Sequence, residues 1–531
     1  MSYLKLIFNA FAILIILSNL TTAKTLIFCS EAAPEGFDPA LYSSATTFDA
    51  SSRTIYNRLV GFEKGTTNIR PSLAQSWNIS DDGLTYIFNL RKGVKFHKTS
   101  YFTPTRDFNA DDVIFSINRQ FDQNHSFYNY IEASTWELFQ GMSMPTLIKT
   151  IEKLDDYKVK ITLNRPEASM LANLAMDFAS VLSAEYASQI KASNKKHDLN
   201  FNPIGTGPFQ FVNYSLNSAI RYQAHPLYWK AKQNIENLVF SITRDATVRA
   251  QKLVAGECHI SAYPTPSDIS YLKNKPNLKV LEQEGLNIGF MAYNTKVAPF
   301  DNPKVRKALN MAIDKKSIID SVFQGSARIA INPIPPSVWG YNASIKDDEY
   351  NPTLAKQQLD NEGVQNLSMK LWAMPVQRPY NPNARRMAQL IQEDFRRIGV
   401  DVEIVTYEWG TYLSKSRSID RDGALLLGWS GDNGDPDNFL SLLLGCDGVG
   451  GSNRAHWCHH EYDKLIKKAK SETDRNIRME LYHEAQKIFK EQAPWATIAH
   501  SLVTVPISKN VSGYKIDPLG GHWFEGLDLV N

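Results

Sequence analysis

Helices that run directly into strands set the tightest limit on how this chain can fold. In NPNARRMAQLIQEDFRRIGVDVEIVTYEW (381–409), apolar residues recur at helical spacing up to Gly399 and then give way to an alternating strand-like run. FNADDVIFSINRQF (108–121) opens with Asn109 as an expected N-cap and with acidic residues in its first turn. NPKVRKALNMAIDKKSIIDSVFQG (302–325) keeps Val305, Leu309, Ala312 and Ile313 on one helical face and ends at Gly325. TLIFCS, YKVKITL and LNIGFMAYNT read as strands. Helix followed by strand, several times over, predicts an α/β fold with largely buried sheets.

At 531 residues the chain exceeds one ordinary core, so two or more lobes are expected. No repeat, low-complexity tract or Ser/Gly tether separates them. EGLNIGFMAYNT (284–295) and PWATIAHSLVTV (494–505) are strand-like and lack linker composition. Two such crossings predict a hinge, with both chain ends in one lobe and the middle segment in the other. The expected division is lobe I at 24–284 with 502–531, and lobe II at 285–501. A balance of 58 basic against 55 acidic residues gives no case for nucleic acid or for a polybasic membrane surface.

The first residues read as a secretory signal peptide over 1–23: Lys5, an apolar run around Ala10–Leu17, then Thr21-Thr22-Ala23. That run is too short to span a bilayer. Cleavage after Ala23 would leave Lys24 first, where a lipoprotein needs Cys. The mature chain is therefore expected to be free in the exported compartment. Its four cysteines, Cys29, Cys258, Cys446 and Cys458, allow three pairings. Cys446 with Cys458 suits a local staple around a Gly-rich loop, leaving Cys29 with Cys258. A metal site using Cys446, Cys458, His459 and His460 is the rival, with poor ligand spacing.

Chemistry concentrates in GALLLGWSGDNGDPDNFLSLLLG (423–445), where Asp432, Asp435 and Asp437 lie between two apolar runs. A calcium loop starting at Asp432 fails at Gly434, Pro436 and Leu443. No nucleophile elbow, zincin motif, P-loop or dinucleotide glycine pattern occurs, so neither a catalytic residue nor a cofactor is expected. Two readings remain: Asx-turn and cap residues, or a carboxylate aimed at a cation. Asp435 and Asp437 fit the first. Asp432, at the end of a buried strand beside Trp429, fits either. In LWAMPVQRPYNPNARRMAQLI (371–391), Arg378 and Tyr380 lie on a Pro-rich loop; a guanidinium fork there suits a carboxylate or a surface ion pair.

These segments, with KTLIFCSEAAPEGFDPAL, LAQSWNISDDGLTYIFNLRKGVKFH, NPIGTGPFQF and VTYEWGTYL, resemble the dipeptide-binding proteins of bacterial ABC importers, in the oligopeptide/dipeptide/nickel-binding family, from about Lys24 to the C-terminus. The resemblance implies a two-lobed periplasmic-binding-protein-like fold of type II, with hinge strands and an extra domain at roughly 58–190 inserted in the first lobe. It implies that Asp432 meets a ligand ammonium, that Arg378 clamps a carboxylate, and that Tyr380, Trp409, Gly428 and Trp429 surround the ligand. Ser43, on the opposite lobe, stands where the family usually has Thr. It also implies the disulfides Cys29–Cys258 and Cys446–Cys458, a periplasmic monomer and delivery to an inner-membrane permease; docking of the closed form to a chemoreceptor is an alternative role. Haem or glutathione is the alternative ligand on the same scaffold. A dipeptide is a zwitterion with its charges about 7 Å apart at ~3.3–3.6 Å per residue, so one carboxylate and one guanidinium would act as a length ruler.

Overall fold

The computed structural model describes residues 23–131 and 136–530, so the signal segment expected at 1–23 lies, except for Ala23, outside the described residues. Two apolar cores organise it. One gathers residues between Leu26 and Ala262 and then Val505 to Leu527; the other gathers Leu286 to Ala499. This is a two-lobed α/β fold of the periplasmic-binding-protein type.

A 12-stranded sheet runs through both lobes. Its continuity rests on Trp495–Ser508, a single 14-residue strand. The first half of that strand pairs antiparallel with Asn287–Tyr293 in lobe II, and the second half with Leu278–Glu284 in lobe I. The second crossing is therefore Leu278–Glu284 running through Gly285-Leu286 into Asn287–Tyr293. Asn287 stitches the two crossings together. Its Oδ1 accepts from the Ser501 backbone N–H at 2.9 Å, its Nδ2 donates to the Ser501 carbonyl at 3.1 Å, and its own carbonyl lies 2.8 Å from His500 Nδ1.

In lobe II, Ser368–Trp372 and Asp401–Val405 are parallel neighbours joined by the helix Ala384–Arg397. Asn383 caps that helix, and Gly399 ends it with φ +80°. Lobe I carries a separate four-stranded antiparallel sheet, in the order Ala74–Ile79, Thr85–Leu90, Lys158–Leu163, Ile148–Asp155. Against it packs the helix Ala110–Phe121, whose capping box joins Asn109 and Asp112.

One helix expectation needs correction. The pattern at 302–325 does not form one helix: Pro303–Met311 stops, and Asp314 caps a new turn by accepting from Ser317 N at 3.0 Å. A side-chain carboxylate competing for backbone N–H groups outweighs the apolar spacing there. The structure pairs Cys29 with Cys258 and Cys446 with Cys458.

Candidate ligand-binding site

The apolar run before Asp432 forms the strand Ala424–Ser430, held between Asn287–Tyr293 and Ser368–Trp372. Gly431 ends it by donating to the Leu286 carbonyl at 2.6 Å. Asp432 follows at once. Its N–H donates to Asn438 Oδ1 at 2.9 Å, the Trp429 indole N–H donates to the same oxygen at 3.0 Å, and Asn438 Nδ2 donates to Asp432 Oδ2 at 3.1 Å. Burial pushes the Asp432 carboxyl up to about 7; the Asn438 hydrogen bond and Arg53 act against that rise, while Asp177 and Glu137 add to it.

The neighbouring acids do structural work. Asp435 Oδ1 accepts from Arg478 Nη2 at 2.8 Å and from the Asp437 N–H at 3.0 Å. Asp437 pairs with Lys470 at 3.3 Å. The turn between Asp432 and Asp435 reaches lobe I: Asn433 Nδ2 donates to Asn173 Oδ1 at 2.9 Å, and at Gly434 (φ +70°) the Thr67 side chain occupies the space a Cβ would need.

Lys470 joins the same seam. Its carbonyl accepts from Ala168 N at 3.0 Å, and its ammonium lies 3.8 Å from the buried Glu167 of lobe I. Burial raises the Glu167 carboxyl above its ordinary value, so its ionisation opposes the packed state increasingly as pH climbs above about 4.5. Glu167→Gln should therefore melt higher than the parent at pH 8, with the difference gone at pH 4; a calorimetric pH series checks this.

Tyr380 lies in a notch made by two glycines. Gly289 and Gly428 face each other across paired strands. A Cβ on Gly428 would overlap the Tyr380 ring, and one on Gly289 would overlap the Tyr380 carbonyl. Tyr380 is buried, while Arg378 stands exposed on the same loop. Arg378 exchanges two backbone hydrogen bonds with Asn381, at 3.1 and 2.9 Å, and its Nη1 donates to the Gln377 carbonyl at 3.0 Å. Burial raises the Tyr380 phenol, and the Arg378 guanidinium opposes that rise. The same guanidinium acts on Tyr263 of lobe I. Trp409 opens the helix Trp409–Ser416, which Glu408 caps through Thr411 N at 3.1 Å.

Lobe I supplies a charged wall. Asp177 accepts from Arg58 at 3.1 Å and from Arg53 at 3.4 Å, and Arg53 also holds Asp49 at 2.6 Å. The Arg53 charge opposes the rise at both Asp432 and Tyr263. Ser43 is exposed and donates to Glu137 Oε2 at 3.0 Å; Glu137 in turn lies 4.0 Å from Arg417 of lobe II. Sequence reasoning missed Asn438, Asn433, Arg53, Asp177 and Glu137. The Asx-rich spacing after Asp432 was a usable signal for Asn433 and Asn438. No local pattern marks the lobe I residues.

A family model for bacterial extracellular solute-binding proteins, family 5 (middle region), matches residues 68–451. The chain belongs to the family 5 solute-binding proteins. Di/tripeptide-binding protein 1 of Pseudomonas aeruginosa is 50% identical over 500 residues, 94% of this chain and 93% of that one. Heme-binding protein A of Haemophilus influenzae is 48% identical over 507 residues, 95% of this chain and 92% of that one. Among solved structures, the dipeptide-binding protein of Pseudoalteromonas sp. SM9913 in complex with Met-Leu is 40% identical with a TM-score of 0.87, covering 95% of this chain and 100% of that one. In this family 5 chain the two lobes meet through the Asn433–Asn173 and Ala168–Lys470 contacts, beside the loop that carries Asp432.

Proposed function

We propose that this chain captures dipeptides between its lobes and delivers them to an inner-membrane ABC permease. The observation that carries the reading is a half-buried carboxylate, Asp432, held at the lobe seam by Asn438 and by no basic side chain among the described residues. A buried charge without a counter-ion is costly, and a ligand ammonium supplies one. In this reading Asp432 takes the α-ammonium and Arg378 takes the carboxylate. Tyr380, Trp409, Gly428 and Trp429 line the ligand, and Ser43 approaches from lobe I. The kinship with proteins named for di- and tripeptide binding, and with one solved around Met-Leu, supports it. The protein works as a free periplasmic monomer after removal of residues 1–23, without turning its ligand over; the closed form is also the form a chemoreceptor would meet.

The test is calorimetric titration with Ala-Ala and Ala-Ala-Ala from pH 5 to 8. Because a bound ammonium favours the Asp432 carboxylate, binding below its ligand-free value of about 7 should release a proton. Ala-Ala affinity should then rise up to about tenfold per pH unit toward 7 and level off there. The tripeptide should bind at least about tenfold more weakly, since one charged end is left unmatched. A flat pH profile would remove Asp432 from the site. Haem is the second reading, favoured by the 48% identity to a protein named for haem binding. Haem uptake followed by absorbance should fall when Ala-Ala is in excess if the two share the cleft. Haem uptake untouched by Ala-Ala would assign haem a separate site.

A further inference from the structure

We propose that Asn438 is the positioning residue of the ammonium anchor: its carboxamide fixes the Asp432 carboxylate and the Trp429 indole as one unit. The inference rests on the peptide-binding reading above and adds a residue that the reading does not use.

Asn438 is the second residue of the helix Asp437–Leu444 and is 1% exposed. Its amide has one permitted orientation. The Asp432 backbone N–H and the indole N–H are donors only, so the oxygen must face them and the nitrogen must face Asp432 Oδ2. Three hydrogen bonds from one side chain close a ring across a loop of six residues, Asp432 to Asp437. Leucine has similar volume and would pack there, but would strand an indole N–H, a backbone N–H and a carboxylate oxygen. The ring also divides the carboxylate. Oδ2 is engaged by Asn438, while Oδ1 has no donor among the described residues. That leaves one lone-pair-bearing oxygen, held in a fixed direction, for an incoming ammonium.

The charged surroundings make the amide nitrogen matter. From lobe I, Asp177 and Glu137 oppose ionisation of Asp432, and Arg53 favours it. Of the groups favouring the charged form, the Asn438 donor acts most strongly. Removing that donor while keeping the acceptor should therefore shift the ionisation of Asp432 without disturbing Trp429.

Asn438→Asp makes that change at constant shape. Two facing carboxyls then share a proton, and Asp432 stays neutral to higher pH. In ligand-free protein, the 13C carboxyl resonance of Asp432, assigned by its loss in Asp432→Asn, should titrate at least one pH unit higher in Asn438→Asp. In Ala-Ala titrations the acid limb should move by the same amount, leaving affinity at pH 6.5 roughly eightfold weaker for a one-unit shift and partly recovered at pH 8. Asn438→Ser, too short to bridge and free of added charge, serves if Asn438→Asp does not fold; its limb should shift in the same direction by less. Carboxyl titrations that superpose on the parent in a folded variant would overturn the positioning role whatever the ligand. Shifted titrations with no Ala-Ala binding by the parent would keep the Asn438–Asp432 coupling and sink the peptide reading instead.

Discussion

Asp432→Asn should weaken dipeptide binding by two to three orders of magnitude and raise the melting temperature at neutral pH. The two effects have one cause. An uncompensated charge buried at a binding site costs about 3–5 kcal/mol when its partner is removed, which corresponds to that loss of affinity. Asparagine keeps the shape and can still accept from Asn438 Nδ2, so the loop should hold. What it cannot do is balance an ammonium. In the ligand-free protein the balance reverses. Burial lifts the Asp432 carboxyl to about 7, above its unfolded value, so the fold favours the neutral form. The destabilisation is absent below about pH 4 and complete above about pH 7. Asp432→Asn should therefore gain a few degrees at pH 8 and nothing at pH 4, by scanning calorimetry. A variant that melts lower and binds worse would have lost its loop, and its affinity would say nothing about the ammonium. Affinity within threefold of the parent, in a protein that melts normally, would retire Asp432 as the anchor. Stability gained where function is lost is the pattern expected of a group retained for binding rather than for folding.

How much of this was legible in advance depends on the range of the interaction. Asn109 could be read as a cap because its partner, Asp112, is three residues away. Gly399 could be read as a helix end because a left-handed residue is needed there, at φ +80°. Asp435 could be read as a turn residue because it accepts from Asp437 N–H two positions on, whereas the Asp437 carboxylate, read the same way, takes Ser441 Oγ and Lys470 instead. Asp314 was missed although its signal is equally local, because the apolar spacing around it argued for continuity. The lobe I wall was not legible at all. Arg53, Asp177 and Glu137 act on Asp432 across more than 250 positions of sequence, and no periodicity connects them. The Tyr380 notch is intermediate. Gly428 and Gly289 are both visible as glycines inside strand patterns, which announces a close approach, but what approaches is set by strand register. Arg378 carries the opposite lesson. Its residue type suits a carboxylate clamp or a surface ion pair, and the loop leaves it exposed, which the sequence did not announce.

The second large effect is on stability and lies away from the anchors. Arg119, on the helix Ala110–Phe121, grips Asp38 with both terminal nitrogens, Nη2 to Oδ1 at 2.8 Å and Nη1 to Oδ2. Both side chains are 0% exposed. The Tyr130 hydroxyl donates to the same carboxylate, and the Trp136 ring lies 5.2 Å from the guanidinium. Asp38 also accepts from Ala40 N at 3.2 Å, fixing the turn Pro39–Leu41 just before Ser43. Arg119→Met removes the cation at similar volume and leaves the carboxylate buried with only neutral donors. Breaking such a pair from one side costs about 3–5 kcal/mol. For a lobe of this size that is a fall of roughly 10 °C in the transition of lobe I. Adding Asp38→Asn should recover more than half of the loss, because both charges are then gone and the turn keeps an acceptor. Ala-Ala affinity at 25 °C should stay within a few-fold throughout, since neither residue touches Asp432 or Arg378, the anchors of the proposed reading. A single variant that melts within 2 °C of the parent would mean that Asp38 finds another cation or takes up a proton. A double variant no better than the single would mean that the loss came from packing around Trp136 and not from charge.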